Sequence, residues 1–337
     1  MINLTTTYAG IELKNPIIVG ASNLVSNIDN LKLMEDSGVA AIVYKSLFEE
    51  QIQLERLEFD DSLTEYRERN AEMISLFPDI EHAGPSEHLM NLRLAKESVK
   101  IPVIASLNCV LSETWLDYAK QLQETGVDAL ELNFFAVPKD SKLDDNKIIA
   151  QQLDIFKALK KSISIPVSIK LSPFYTNILN VIKQFDQEGV SSIVLFNRFL
   201  QPDIDIETES HVNHFSPSGH DENLLALRFA GLLYGNVNTS IICNGGIHSG
   251  KDIAKMVLAG AESVEVVSTL YKNKISYVAT MLKELTIWME SKNYKTLGDF
   301  RGKLSQSKMN DPFIYKRAQY IDILQKSSEV FKKYPLR

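Results

Sequence analysis

Six polar residues stand where short apolar runs end, and their types are those that hold a small polar ring: Lys45 with Ser46, Asn108, Asn133, Lys170 and Asn197. Two lysines and three asparagines are more donors than a packed core tolerates. They suit a planar heterocycle rich in carbonyls and ring nitrogens. A lysine closing an apolar run is the most telling member, because burying an ammonium without a partner is costly. The competing reading lets each lysine carry its charge to solvent along an apolar stem.

A second set suits a phosphate. Asn244-Gly245-Gly246-Ile247 and Val267-Ser268-Thr269 close two further apolar runs. Glycines let backbone N–H groups approach an anion, and the Ser-Thr pair adds hydroxyl donors. Alternatively, Gly245 and Gly246 only make a tight strand-to-helix turn. The stretch GGIHSGKD (245–252) is similar to a triphosphate-binding loop, but its last position is Asp252. A carboxylate there offers magnesium no hydroxyl and repels phosphate, so that reading is rejected. Asp203, Asp205 and Glu207 alternate along one face, and His211 and His214 follow. Such spacing reads as a solvated ribbon before it reads as a metal site, and no metal ligand is assigned. Phe134 and Phe135 could stack on a bound ring or simply pack.

Something must bring these residues to one place. The runs 16–20, 40–45, 102–107, 128–133, 166–170, 191–196, 240–244 and 263–268 are short, β-branched and aliphatic. They read as continuously apolar, as parallel strands covered on both faces do. Amphipathic segments such as 112–126 and 250–260 lie between them. Gly38, Gly126, Gly189 and Gly260 stand just before the next strand, a helix C-cap signature. Eight β-then-α units in series predict an α/β protein, a (β/α)8 TIM barrel. Strand-top residues then converge on one mouth, with the phosphate set after strands seven and eight, where barrels place it. An open doubly wound sheet is the alternative, but G-x-G-x-x-G is missing after the first strand. Residues 2–14 predict a hairpin around Ala9-Gly10 that covers the barrel bottom. Long insertions follow strand two (46–90) and strand six (198–222). Residues 1–337 read as one domain.

A net charge of −7 argues against nucleic acid as a partner, since phosphate backbones need clustered positive charge. The chain start has no signal-peptide pattern, and no apolar run approaches the roughly 18 residues that span a bilayer. A cytoplasmic protein with no membrane contact is expected. The two cysteines, Cys109 and Cys243, are far apart and read as packing residues in a reducing compartment. That spacing disfavours an iron–sulfur or zinc site within the chain.

In this order the motifs resemble the dihydroorotate dehydrogenase family over nearly the whole chain. NPIIVGAS (15–22) looks like the family's opening strand, which implies that Ala21 and Ser22 run beneath a flavin. YKS (44–46) is similar to its Lys-[ST] pair. LELN (130–133) and VSIKLSP (167–173) resemble strands ending on an Asn and a flavin-binding Lys. FNR (196–198), SPSGHDENLLALR (216–228) with its Ser218-Gly219 turn, CNGGIHSGKD (243–252) and DFRGKL (299–304) complete the set. The resemblance implies FMN as cofactor, a dihydroorotate-like substrate, a role in pyrimidine biosynthesis and a homodimer. It implies that Lys170 stabilises the reduced flavin near N1 and O2. Lys45 would lie by the N5 edge and the substrate carboxylate, and Asn133 and Asn197 would bond the substrate ring. A hydride would leave for N5 while a base takes a proton from the adjacent carbon.

The departures from the family pattern gather on the substrate side. Where relatives read Asn-x-Ser-[CS]-Pro-Asn, this chain reads Asn133-Phe134-Phe135-Ala136-Val137-Pro138-Lys139. Val137, at the base position, can transfer no proton, and Lys139, Asp140 and Ser141 are the substitutes on the same loop. Lys45 and Lys139 are taken as the catalytic candidates, Lys139 as the base, since desolvation lowers a lysine pKa; an exposed loop charge is the bland alternative. The asparagine-rich loop after strand two is reduced to Asn70, and Arg198 follows Asn197 where a hydroxyl residue is usual. Two other functions stay open. One is a flavin-binding barrel with altered or lost substrate chemistry. The other is a sugar-phosphate lyase or isomerase barrel without flavin, which leaves Lys45 and Lys170 unused.

Overall fold

A computed structural model describes residues 2–52, 85–108, 112–134, 142–199, 201–212, 216–311, 313–316, 321, 324–326 and 332. The chain opens with a two-stranded antiparallel hairpin, β1 (Thr6–Tyr8) and β2 (Ile11–Leu13), turning through Ala9 and Gly10, both at positive φ. Then come β3 (Ile17–Val19), α1 (Ile28–Asp36), β4 (Ala41–Val43), the two-residue β5 (Leu47–Phe48) and α2 (Pro85–Ser98). β6 (Val103–Asn108), α3 (Ser112–Glu124), β7 (Ala129–Asn133), α4 (Asp145–Ser162), β8 (Val167–Leu171), α5 (Ile178–Gln187) and β9 (Ser192–Leu195) follow. An exposed ribbon, β10 (Asp203–Asp205) and β11 (Ser210–Val212), precedes α6 (Asn223–Leu233), β12 (Ser240–Asn244), α7 (Gly250–Ala259) and β13 (Ser263–Val266). The short α8 (Ser268–Asn273) and α9 (Tyr277–Ser291) complete the regular elements.

Strands β4, β3, β13, β12, β9, β8, β7 and β6 pair in that order, all parallel, and β4 pairs with β6 to close the ring. This is the (β/α)8 barrel, with β5 a short addition beside the end of β6. Each strand turns alternate side chains outward to the helices and inward to the barrel axis. Outward residues such as Leu130, Leu132, Ile169 and Val264 join the large core shared with the helices. Inward residues low in the barrel (Ile18, Ala41, Val43, Ile104, Ala129, Val194 and Ile242) form a second cluster with Tyr8, Ala9 and Leu13 of the hairpin. The hairpin therefore plugs the barrel bottom, as its sequence predicts, and Ser263 Oγ ties it by donating to the Thr7 carbonyl at 2.8 Å.

The four glycines preceding strands all take positive φ, closing α1, α3, α5 and α7 as expected. The ribbon of alternating acids is solvent-exposed, and Asp205 accepts from the Glu207 and Thr208 amides of its own turn. Cys243 is a buried core residue whose thiol is pushed up to about 12 by burial, while Cys109 lies outside the described residues. Among the described residues no helix is long and apolar enough to cross a membrane.

Candidate active site

At the C-terminal ends of the strands the barrel opens into a cavity of about 490 Å³, within the range of small-molecule and cofactor sites. The strand periodicity sets its lining. Inward alternation carries β4 to Lys45, β6 to Asn108, β7 to Asn133, β8 to Lys170, β12 to Asn244 and β13 to Glu265. The β3 end supplies Ala21 and Ser22, and the β9 end supplies Asn197 and Arg198. Gly20 stands between, because a Cβ there would lie 3.1 Å from Val267 Cγ2 and 3.3 Å from Glu265 Oε2.

Lys170 is 7% exposed and donates to Glu265 Oε2 at 2.8 Å. Glu131 Oε1 lies 3.6 Å from the same ammonium. Burial alone would lower the lysine pKa, but the two carboxylates outweigh it and raise it, so Lys170 stays charged. Glu131 is itself pushed up to about 8, first by burial and then by the charge of Glu265, against the pull of Lys170. Tyr8 Oη reaches up from the plug to donate to Glu131 Oε2 at 3.1 Å and lies 2.6 Å from Ser168 Oγ. Asn244 Nδ2 donates to Glu265 Oε2 at 3.3 Å.

Around this floor the other strand-top groups are fixed by neighbours. Asn197 Nδ2 donates to the Phe134 and Lys170 carbonyls, both at 3.3 Å, which ties the tops of β7, β8 and β9 together and leaves Oδ1 as its acceptor. Ser46 Oγ and Ser106 Oγ share a 2.6 Å hydrogen bond. Arg198 lines the cavity, but its Nε donates to Glu222 Oε2 at 2.7 Å and its Nη1 to the Ser216 carbonyl. The charge of Lys45 reaches buried His88 on α2, whose pKa falls to about 4, mainly by desolvation and then by that lysine.

The glycine–serine side is a wall of interlocked small groups. Ser218 Oγ accepts from the Gly246 amide at 3.0 Å and donates to Ser268 Oγ at 2.9 Å; the Ser218 amide also donates to Ser268 Oγ. Gly246 has φ +66°, and a Cβ there would come within 2.6 Å of the Asn223 amide nitrogen and the Gly219 carbonyl oxygen. Asp252, suspected from sequence of repelling phosphate, is engaged elsewhere: it accepts from the His248 amide, Ser249 Oγ and Lys255 at the start of α7.

Thirteen of the fifteen residues expected around a cofactor line this one cavity: Ala21, Ser22, Lys45, Ser46, Asn108, Asn133, Lys170, Asn197, Ser218, Asn244, Gly245, Gly246 and Ser268. Gly219 and Thr269 stand behind the wall. Gly219 donates its amide to Glu222, and Thr269 is buried with its hydroxyl accepting from Asn273. Lys139 and Asn70 lie outside the described residues, as do Phe135 and the other loop candidates, Asp140 and Ser141. Phe134 packs between Trp115 and Phe185, which settles it as core. Sequence reasoning missed Glu265 and Glu131. Their signal was a carboxylate inside an otherwise apolar strand, in SVEV and ALELN.

The donor set suits a flavin. Two buried oxygens on the cavity wall, Asn133 Oδ1 and Ser22 Oγ, have no hydrogen-bond partner among the described residues. Orphaned buried polar atoms are rare unless a ligand or water completes them. Residues 78–289 match the sequence profile of the family described as dihydroorotate dehydrogenase. The chain belongs to the dihydroorotate dehydrogenase family. It is 30% identical to the catalytic subunit of dihydroorotate dehydrogenase B (NAD(+)) of Thermoplasma volcanium over 310 residues, 90% of this chain and 98% of the relative. The corresponding subunit of Thermoplasma acidophilum is 28% identical over 90% of this chain and 99% of its own length. Dihydroorotate dehydrogenase A (fumarate) of Lactobacillus helveticus is 26% identical over 65% of this chain and 72% of its own. The chain is thus a dihydroorotate dehydrogenase-like, flavin-dependent oxidoreductase of the kind that acts on a CH–CH bond.

Proposed function

We propose that this dihydroorotate dehydrogenase-family chain binds FMN in the barrel mouth and oxidises dihydroorotate, or a closely related cyclic amide, in pyrimidine biosynthesis. One observation carries the reading: Lys45, Lys170 and the Gly246–Ser218–Ser268 wall meet on a single cavity with orphaned acceptors. The residues divide the work by type. Gly245, Gly246, Ser218 and Ser268 hold the phosphate, backed by Gly219 and Thr269, and Ala21 and Ser22 seat the ring. Lys170 provides the positive charge for the reduced ring. When bound, the flavin supplies a two-electron acceptor for hydride.

Lys45 orients the substrate carboxylate. With its amide nitrogen committed to backbone carbonyls, Asn197 has only Oδ1 to offer, so it accepts from a substrate N–H, as does Asn133 Oδ1. Asn108 and Asn244 complete the polar rim, Arg198 closes the outer edge through Glu222, and Asn70 and Lys139 act from the flanking loops, Lys139 as the base. The chain works as a single domain, 1–337, in the cytoplasm and as a homodimer.

A second reading, a flavin barrel with altered substrate chemistry, is favoured by Val137 at the family's base position. Heat-denaturing the purified protein and identifying the released flavin by chromatography tests the first reading. One FMN per chain is expected; FAD, or no flavin after incubation with excess FMN, contradicts it. Turnover of dihydroorotate with NAD+ or fumarate as acceptor then separates the two readings, since turnover with neither favours the second.

A further inference from the structure

At the cavity floor two acids face one cation, Lys170 and Glu265 lining the cavity and Glu131 standing one layer below. Glu131 and Glu265 are fully buried, and Lys170 is the cation facing both. Both carboxyls reach the same ammonium, Glu265 Oε2 at 2.8 Å and Glu131 Oε1 at 3.6 Å, yet each Oε1 is buried with no hydrogen-bond partner among the described residues. Two ionised carboxylates cannot sit so in a dry core. A single proton between them resolves both faults. It gives one carboxyl a donor and the other a filled acceptor, and it leaves one negative charge against one ammonium.

We propose that Glu131 and Glu265 share one proton, so that the floor beneath the bound ring carries no net charge and can change charge by exchanging that proton. This rests on the FMN reading for its consequence, though not for the pair itself. Among the described residues, the titratable groups facing Glu131 are Lys170 from β8, Glu265 from β13 and Tyr8 from the hairpin. Tyr8 remains a neutral donor, its pKa raised well above the usual phenol value by burial and then by the two acids. Burial and the charge of Glu265 raise the Glu131 pKa to about 8, in keeping with a carboxyl that holds its proton at neutral pH. Glu265 and Lys170 line the cavity itself, whereas Glu131 stands one layer below, so Glu265 connects the proton to the occupant.

The consequence is electrostatic. A ring reduced by hydride gains two electrons and one proton, hence one negative charge, and a second proton makes it neutral. With the floor neutral, that negative charge meets a balanced lysine, so charge compensation must come with proton uptake. Reduction above pH 8 would draw the shared proton back onto the pair. The flavin potential should then fall more steeply with pH above about 8 than below it.

Two measurements on the full chain decide this. Infrared spectra of the chain purified without added flavin should show a buried protonated carboxyl band at pH 7 that fades as pH rises through 8. Glu131→Gln and Glu265→Gln should each abolish that band, because the remaining acid ionises against Lys170. Loaded with FMN, wild-type protein should show the change in potential slope near pH 8. Each single variant should lose the change of slope while keeping a similar potential at pH 7, since one acid still balances Lys170. The double variant should shift the potential upward. Absence of the carboxyl band, or its persistence in both single variants, overturns the shared proton. The band with an unaltered slope in all variants overturns the link to the flavin. Failure to bind FMN leaves the infrared result to decide the pair and counts only against the FMN reading.

Discussion

Lys170 is tolerated, buried, in the cavity wall only because Glu131 and Glu265 face it, and that dependence is measurable. Lys170→Met should leave two buried acids without a cation and cost about 3 kcal/mol near pH 8, as breaking a buried ion pair does. Denaturant melts should show a smaller loss at pH 6, where protonation can relieve the repulsion, together with loss of retained flavin. The pair also sets a pH trend. The pKa of Glu131 is about 8 in the folded chain against an ordinary 4.5. The folded state therefore holds a proton that the unfolded state has released. Stability from this group is full below pH 4.5 and drains as pH rises towards 8. Melts of wild type against Glu131→Gln from pH 5 to 8 should show the variant gaining ground steadily; a flat difference would contradict the shift. Of these three residues, only Lys170 was legible in the sequence, because it ends its apolar run. Glu131 and Glu265 sit within theirs, flanked by outward-facing Leu130, Leu132, Val264 and Val266. Those neighbours make the runs read as continuously apolar and hide an inward polar layer.

At the scale of elements, the hairpin does more than cover the barrel bottom. Its Tyr8 hydroxyl bonds to Glu131 and Ser168 in the dry interior. Tyr8→Phe removes that hydroxyl, leaves polar atoms unsatisfied, and should cost roughly 1–3 kcal/mol in denaturant melts. The turn after β12 is equally constrained. Gly246→Ala drives a Cβ into the Asn223 amide nitrogen and the Gly219 carbonyl oxygen, so retained flavin should drop sharply while the circular dichroism of the barrel survives. Helix α2 carries an acid-sensitive point. The pKa of His88 falls to about 4 from 6.5, chiefly through burial, and its ring packs edge-on to Tyr44. The unfolded chain takes up a proton below pH 6.5 that the folded chain refuses until about pH 4. Stability from this group is present above 6.5 and lost as pH falls between those values. His88→Phe keeps the ring contact and should remove that part of the acid sensitivity. The eight strands were legible because β-branched runs alternate with capped amphipathic segments. The hairpin could be placed at the barrel bottom, but no pattern could say that its tyrosine bonds an acid across 123 residues of chain.

For the whole molecule, closing the ring turns six scattered strand-top residues into one mouth. That geometry explains why motifs that are individually weak carried the family when taken in order. Positions on regular strands were predictable because the barrel fixes them. The substrate-side loops, with Asn70 and Lys139, were less so, since loop residues follow no such period. On the proposed function, flavin bound in this mouth is reduced by dihydroorotate. Anaerobic mixing of the FMN-loaded protein with dihydroorotate, followed by flavin absorbance, tests it most directly. Prompt bleaching in wild type, slowed severely in Lys45→Ala, is the predicted result. A flavin that stays fully oxidised in the presence of excess dihydroorotate would contradict it.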